Sequence, residues 1–230
     1  ELTFVDARWN REYRTATVSG AETQVTFSFP VSFKPVRVWV NTRQRLTLAR
    51  SEKEHLVRSP VSYNFSPAKL TLKVNTMTAD SALVRVEHHY AIPDTSTIVN
   101  PHGFRLSNRY WTIDALPAGS FDGDATFIYD GRGQADQLDT ELFDQTGPSE
   151  DSVILAYRPG PGLPWQAFPQ VTKNTLGSAQ NAYGLIRAEQ VVPGQYTIAK
   201  GSGTVATQSP YIQQFRASVS PNPVKDQMLL

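Results

Sequence analysis

At 230 residues, 40% of them hydrophobic, 10% aromatic and 19% charged, the chain has a globular composition and room for two ordinary domains or one large β unit. A formal net charge of +1 supplies no global field for nucleic acid or an anionic membrane. The absence of cysteine excludes disulfides, zinc–thiolate centres, iron–sulfur clusters and thiol catalysis, and no stretch reaches the roughly 20 apolar residues of a bilayer span. Glu1 leads directly into strand-like sequence with no basic segment and apolar run before it, so the expectation is a removed signal or an internal start.

Period-two alternation dominates the chain from there on. QVTFSF sets Val25, Phe27 and Phe29 on one face, and VRVWVN sets Val36, Val38 and Val40 against Arg37, Trp39 and Asn41. KLTLKV opposes Leu70, Leu72 and Val74 to Lys69, Thr71 and Lys73. The same pattern recurs in YWTIDA, ATFIYD, SVILAYR and GQYTIAKG, separated by turn chemistry at Asp122-Gly123, Asp130-Gly131, Pro159-Gly160-Pro161-Gly162 and Pro193-Gly194. Phe27, Phe29, Leu70, Leu72, Val74, Phe127, Tyr129 and Ile198 are expected to point inward. Only ADQLDTELFDQ offers an apolar pair at helical spacing, Leu138 and Leu142, and it is short for a helix.

The predicted fold class is therefore all-β, with two antiparallel β-sandwich modules and little helix. The modules are assigned to residues 1–94 and 95–207, meeting near Pro93–Ser107, with 208–230 as linker and tail. Charge follows the same division: Glu1–Asp94 has 13 Lys/Arg against 9 Asp/Glu, and Thr95–Thr207 has 7 against 11. A polar connector, Gly201–Val219, precedes the end of the chain.

Candidate chemistry is sparse. In VRVEHHY the adjacent histidines follow a glutamate, which invites a metal site, but successive strand residues face opposite ways, so His88 and His89 cannot converge on one ion. The alternation places Val84, Val86, His88 and Tyr90 on the apolar face and Arg85, Glu87 and His89 on a solvent-side charge ladder. Asp122, Asp124 and Asp130 offer oxygen ligands for calcium, although no twelve-residue loop with a closing glutamate surrounds them. Asp-Gly turns account for Asp122 and Asp130 without an ion. There is no Gly-x-Ser-x-Gly nucleophile elbow and no phosphate-binding loop. Trp9, Trp39, Trp111 and Trp165 serve either as a sugar-stacking platform or as core; Trp39, opposite Val38, is the candidate surface contact.

Several segments in a fixed order are more specific than any one motif: SALVRVEHHYAIPD, FRLSNRYWTIDAL, ATFIYD, LDTELF and EDSVILAYRPGPGLPWQAF. Together they resemble the C-terminal, non-catalytic region of secreted aminopeptidase N-like zinc metallopeptidases of Bacteroidota. PVSFKPVRVWVNTRQRLTLARS looks like the strand pair that opens this region, and YGLIRAEQVVPGQYTIAKG like its closing strands. The tail SVSPNPVKDQMLL, with Pro221, Asn222 and Pro223, is similar to the start of a type IX secretion sorting domain, here cut short. The resemblance implies an accessory β module whose partners are an upstream catalytic domain of the same chain and, through the complete sorting domain, the secretion machinery. It implies a secreted or cell-surface location reached through the periplasm. Zinc would belong to the catalytic domain, so no cofactor, no metal ligand and no catalytic residue is carried onto these residues. The alternative is a carbohydrate- or surface-binding module of an exported protein, built on Trp39.

Overall fold

A computed structural model describes residues 1–17, 26–96, 98–134, 137–143 and 149–201. Val25 and the tail residues Pro221, Asn222 and Pro223 lie outside the described residues. The chain is all-β and sandwich-type; among the described residues the strands join in three antiparallel sheets and helix is reduced to single 3-10 turns. Glu1–Leu48 belongs to one compact unit and Ala49–Pro210 to another.

The first unit is a three-stranded sheet of β1 (Leu2–Val5), β2 (Arg11–Arg14) and β3 (Arg37–Val40), with β1 in the middle. The β1–β2 connection is held by one side chain. The Asp6 carboxylate accepts the backbone N–H groups of Arg8 and Asn10, both at 2.8 Å, and Trp9 takes the left-handed backbone conformation between them. Alternation in β3 has the expected period but the opposite polarity. Val36 and Val40 are 44% and 53% exposed, whereas Trp39 is 7% exposed. The reason lies in β1, which is buried on both faces from Thr3 to Val5. Trp39 stands across from Thr3 on one covered side, with the Arg11 guanidinium 5.3 Å from its ring, and Val38 faces Phe4 on the other. Trp39 is thus a packing residue and not a surface contact. Thr26–Phe29 forms no strand; Phe27 and Phe29 are half-buried, stacked on each other at 5.9 Å.

The second unit is a sandwich of two sheets. The smaller, in the order β13-β14-β10-β6-β5, joins Val171–Thr175, Tyr183–Ala188, Phe121–Asp130, Leu70–Met77 and Ser62–Phe65. The larger runs β12-β11-β15-β9-β7-β4: Gln166–Ala167, Val153–Arg158, Gly194–Lys200, Tyr110–Leu116, Ala82–His89 and Arg50–Val57, with β8 (Arg105–Leu106) also on β15. Leu70, Leu72, Val74, Phe127 and Tyr129 from the smaller sheet meet Val84, Val86, Trp111, Tyr196 and Ile198 from the larger in one continuous core. The inward assignments of Leu70, Leu72, Val74, Phe127, Tyr129 and Ile198 hold.

Two expectations are corrected by the pairing. The boundary at Pro93–Ser107 does not divide the sheets, because β7 pairs β9 along seven residues and β6 pairs β10. Strands on either side of that segment share both sheets and one core, so the compositional break marks a connection within the sandwich. Asp122-Gly123 is no hairpin turn either. It lies inside β10 at a bulge, where a side chain at Gly123 would meet the Lys73 carbonyl oxygen at 2.7 Å. Asp130-Gly131 and Pro159–Gly162 do end strands as read, and Leu142 closes a 3-10 turn, Thr140–Leu142.

Leu72 has no exposed surface and lies opposite Ala125 and Tyr63 in the middle of the smaller sheet. Leu72→Ala is expected to lower the unfolding free energy by about 2–5 kcal/mol through the cavity it leaves, with an unchanged m-value in urea. A loss below 1 kcal/mol (roughly the scale of surface changes) would show that the core is not formed as described.

Candidate functional site

Two arrangements of polar residues in the sandwich stand out, buried clamps and a lattice on the outer face of the larger sheet. The first clamp centres on Asp139, which has no exposed surface and sits just before the 3-10 turn. Its Oδ1 accepts from Ser107 Oγ at 2.6 Å and Arg109 Nε at 2.9 Å; its Oδ2 accepts from Arg109 Nη2 at 2.5 Å and Asp130 N at 2.8 Å. Arg109, 3% exposed, also donates to the Ile128 carbonyl at 2.6 Å, and its own carbonyl accepts from Thr197 Oγ1 at 2.6 Å. Every lone pair of the carboxylate pointing inward is met, which is the condition for holding an ion pair out of water. The clamp ties the start of β9 to the end of β10 and to β15.

The second clamp joins Tyr129 to Glu150. The Tyr129 hydroxyl donates to Glu150 Oε2, and Tyr183 N donates to Glu150 Oε1 at 3.2 Å. Burial and this carboxylate push the Tyr129 phenol well above its ordinary value. The ring reaches Glu150 only because β14 carries glycine at 184, where any Cβ would collide with the Tyr129 hydroxyl.

On the outer face of the larger sheet, Arg158, Gln195, Thr112, Glu87 and Glu52 stand side by side across five strands. Tyr110, His89 and Arg50 form the adjacent row, and Asp114, Arg85 and Glu54 the next. Arg85, only 3% exposed, donates to Glu52, to Glu54 at 2.6 Å and to Glu87 at 3.0 Å; Arg50 reaches Glu52 at 2.8 Å and Glu87 at 3.3 Å. Burial would raise the Glu87 carboxyl, but the His89 hydrogen bond and the Arg85 and Arg50 charges outweigh it and hold it at about 2. The solvent-side ladder read from VRVEHHY is this lattice.

His89 lies 3.1 Å from Glu87 through Nε2, stacks on Tyr110 at 4.3 Å, and has Thr112 Oγ1 3.4 Å from the same Nε2. A hydrolase triad needs the carboxylate and the nucleophile on opposite ring nitrogens. Here both address one nitrogen, so the imidazole cannot pass a proton from Thr112 towards Glu87. Its geometry is that of a lattice member.

His88 faces the other way, into the core. Its ring is fully buried, stacked 4.7 Å from Trp111 and tilted against Tyr90 at 4.4 Å, and among the described residues neither ring nitrogen has a hydrogen-bond partner. Arg109 covers the Trp111 ring at 4.6 Å. Burial, with the positive Arg109 and Lys69 nearby, lowers the His88 imidazole to about 3.

The calcium candidates do not assemble. Asp124 is 4% exposed and engaged by Arg187, by Asn75 Nδ2 at 3.1 Å and by Gln190 N at 3.2 Å. Asp130 is paired with Arg132 at 2.8 Å, and at a strand rise of about 3.3 Å per residue it stands about 20 Å from Asp124. Asp122 flanks the bulge. Among the described residues no three His, Asp or Glu side chains are grouped as a metal site requires. Trp111 and Trp165 have no exposed surface, which with Trp39 removes the tryptophan platform. Sequence reading missed the partners that matter most, Arg109, Asp139, Glu150 and Arg158. Arg158, 4% exposed, stacks 4.4 Å from Trp165 and donates to Gln195 Oε1 at 2.8 Å. The one available signal was a charged residue on each side of an apolar run.

Comparison with protein-family models, with curated proteins and with solved structures finds no match.

Asp139→Asn keeps the size of the side chain but leaves the Arg109 guanidinium buried without a counter-charge. It is expected to cost about 3–5 kcal/mol, read from the urea midpoint. His88 gives a pH signature. Its folded value of about 3 lies below the ordinary 6.5, so the unfolded chain takes up the proton first and stability falls as pH drops through 6.5 towards 3. At pH 4.5 this amounts to about 2–3 kcal/mol relative to neutral pH, and His88→Phe is expected to remove that part of the decline. Parallel pH profiles for the two proteins would contradict the burial of a neutral imidazole.

Proposed function

We propose that the chain is a non-catalytic β module of an exported, aminopeptidase-like zinc metallopeptidase, supporting the catalytic domain that precedes it. One observation carries this reading. The segments on which the resemblance rests supply both partners of each buried clamp. Ser107 and Arg109 come from FRLSNRYWTIDAL, Asp139 from LDTELF, Ile128, Tyr129 and Asp130 from ATFIYD, and Glu150 from EDSVILAYR. The residues that make the chain recognisable are those that bond one sheet to the next, which is the expectation for a framework. In this reading zinc, nucleophilic water and substrate contacts belong to the catalytic domain. The tail with Pro221, Asn222 and Pro223 begins a sorting domain that addresses the protein to the cell surface or beyond.

The gene upstream of Glu1 is expected to encode a His-Glu-x-x-His helix, two histidines one turn apart with a glutamate base. The isolated chain is expected not to hydrolyse aminoacyl nitroanilides, with or without added zinc. Turnover that is lost on chelation and on changing His89 would overturn the proposal.

A further inference from the structure

The outer face of the smaller sheet differs from that of the larger. It holds an open groove of about 450 Å³ whose polar lining is Asn64, Ser66, Lys69, Thr71 and Thr126. Asn64, Thr71 and Thr126 are cross-strand neighbours on β5, β6 and β10, so their side chains rise from one line across the sheet. Ile128, 37% exposed, stands opposite Leu185 and completes the lining with an aliphatic strip. Lys69 enters from the end of the 3-10 turn Ser66–Ala68. It takes a left-handed conformation there, with φ 50°, and its N–H returns to the Ser66 carbonyl at 3.0 Å.

Among the described residues, none of these five polar side chains makes a hydrogen bond or ion pair within the protein. This sets them apart from the neighbouring Asp124, Arg187 and Asn75, which satisfy one another on the same sheet. Among the described residues no carboxylate lines the groove.

We propose that this groove binds an acidic saccharide. Amide and hydroxyl side chains in a row match sugar hydroxyls, each able to donate and accept. The Ile128–Leu185 strip suits the C–H face of a pyranose ring. The uncompensated Lys69 ammonium selects a carboxylate or sulfate on that ring and, with no acidic side chain beside it, meets no internal competitor. The volume falls within the range of small-ligand clefts, about 300–1,000 Å³. The assignment stands apart from the proposed function, and its failure would leave that reading untouched.

The test uses the whole chain labelled for amide NMR and titrated with trigalacturonate, a heparin-derived tetrasaccharide, neutral maltotriose and a tetraglutamate peptide. Saturable shifts centred on Thr71, Thr126 and Leu185 are expected with at least one of the acidic sugars, with maltotriose about tenfold weaker. Lys69→Ala is expected to abolish the preference for the acidic sugar, and Asn64→Ala to weaken all sugars. Both positions are exposed, so an unchanged melting temperature is the control for folding. Silence with both acidic sugars, or shifts elsewhere on the chain, overturns the proposal. So does equal binding of maltotriose, equal binding of the peptide, or a Lys69→Ala protein that keeps its preference.

Discussion

The Arg109–Asp139 pair is the constraint on which the sandwich depends. Both side chains are almost completely removed from water, and burying two charges costs several kcal/mol each before any attraction is counted. Four hydrogen bonds to the carboxylate and a further one from Arg109 to the Ile128 carbonyl offset this, with Ser107 and Asp130 as the additional donors. The pair therefore adds little net stability over a well-packed apolar substitute. Its effect is selective, since any other registration of β9 against β10 and β15 would strand a bare guanidinium in the core. The Tyr129–Glu150 contact acts in the same way at the next strand junction, with Gly184 leaving the space it requires.

The two outer faces of the sandwich use polar chemistry in opposite ways. On the larger sheet, acids and bases alternate closely enough that nearly every charge is spoken for, and His89 is drawn into the lattice through Glu87. In the groove of the smaller sheet, short hydroxyl and amide side chains stand beside one another without bonding. A self-satisfied face resists new partners because its bonds must be broken first, whereas an unbonded face exchanges water alone.

Much of the fold was legible in the sequence, and the parts that were not share a cause. Strand period is a local property, so Leu70–Val74, Phe127–Tyr129 and Val84–His89 could be placed on their faces from alternation alone. Polarity is decided by what covers a strand. In β3 the alternation of Val36, Val38 and Val40 pointed one way, but β1 is covered on both sides and took Trp39 against Thr3. The Asp122-Gly123 pair has the chemistry of a turn and became a bulge because β6 continues past it. Composition around Pro93–Ser107 suggested a domain junction, yet pairing between β7 and β9 is a long-range fact that no local window contains. The clamps were invisible for the same reason: Arg109 and Asp139 are thirty residues apart in sequence.

The position of β15 has a consequence for how the molecule comes into being. Gly194–Lys200 lies between β9 and β11 in the larger sheet and also takes β8, so β8 finds its neighbour, and β9 and β11 their second neighbour, only when the last described strand arrives. A chain emerging from its N-terminus can form the β5–β6 and β4–β7 pairings early, but β9 must wait with one edge unpaired for some eighty residues. Loop-closure entropy makes such pairings slow, and open edges invite contact with other chains. Closure of the larger sheet thus comes last, and its exposure to misassembly is set by the time between the emergence of Leu116 and that of Lys200.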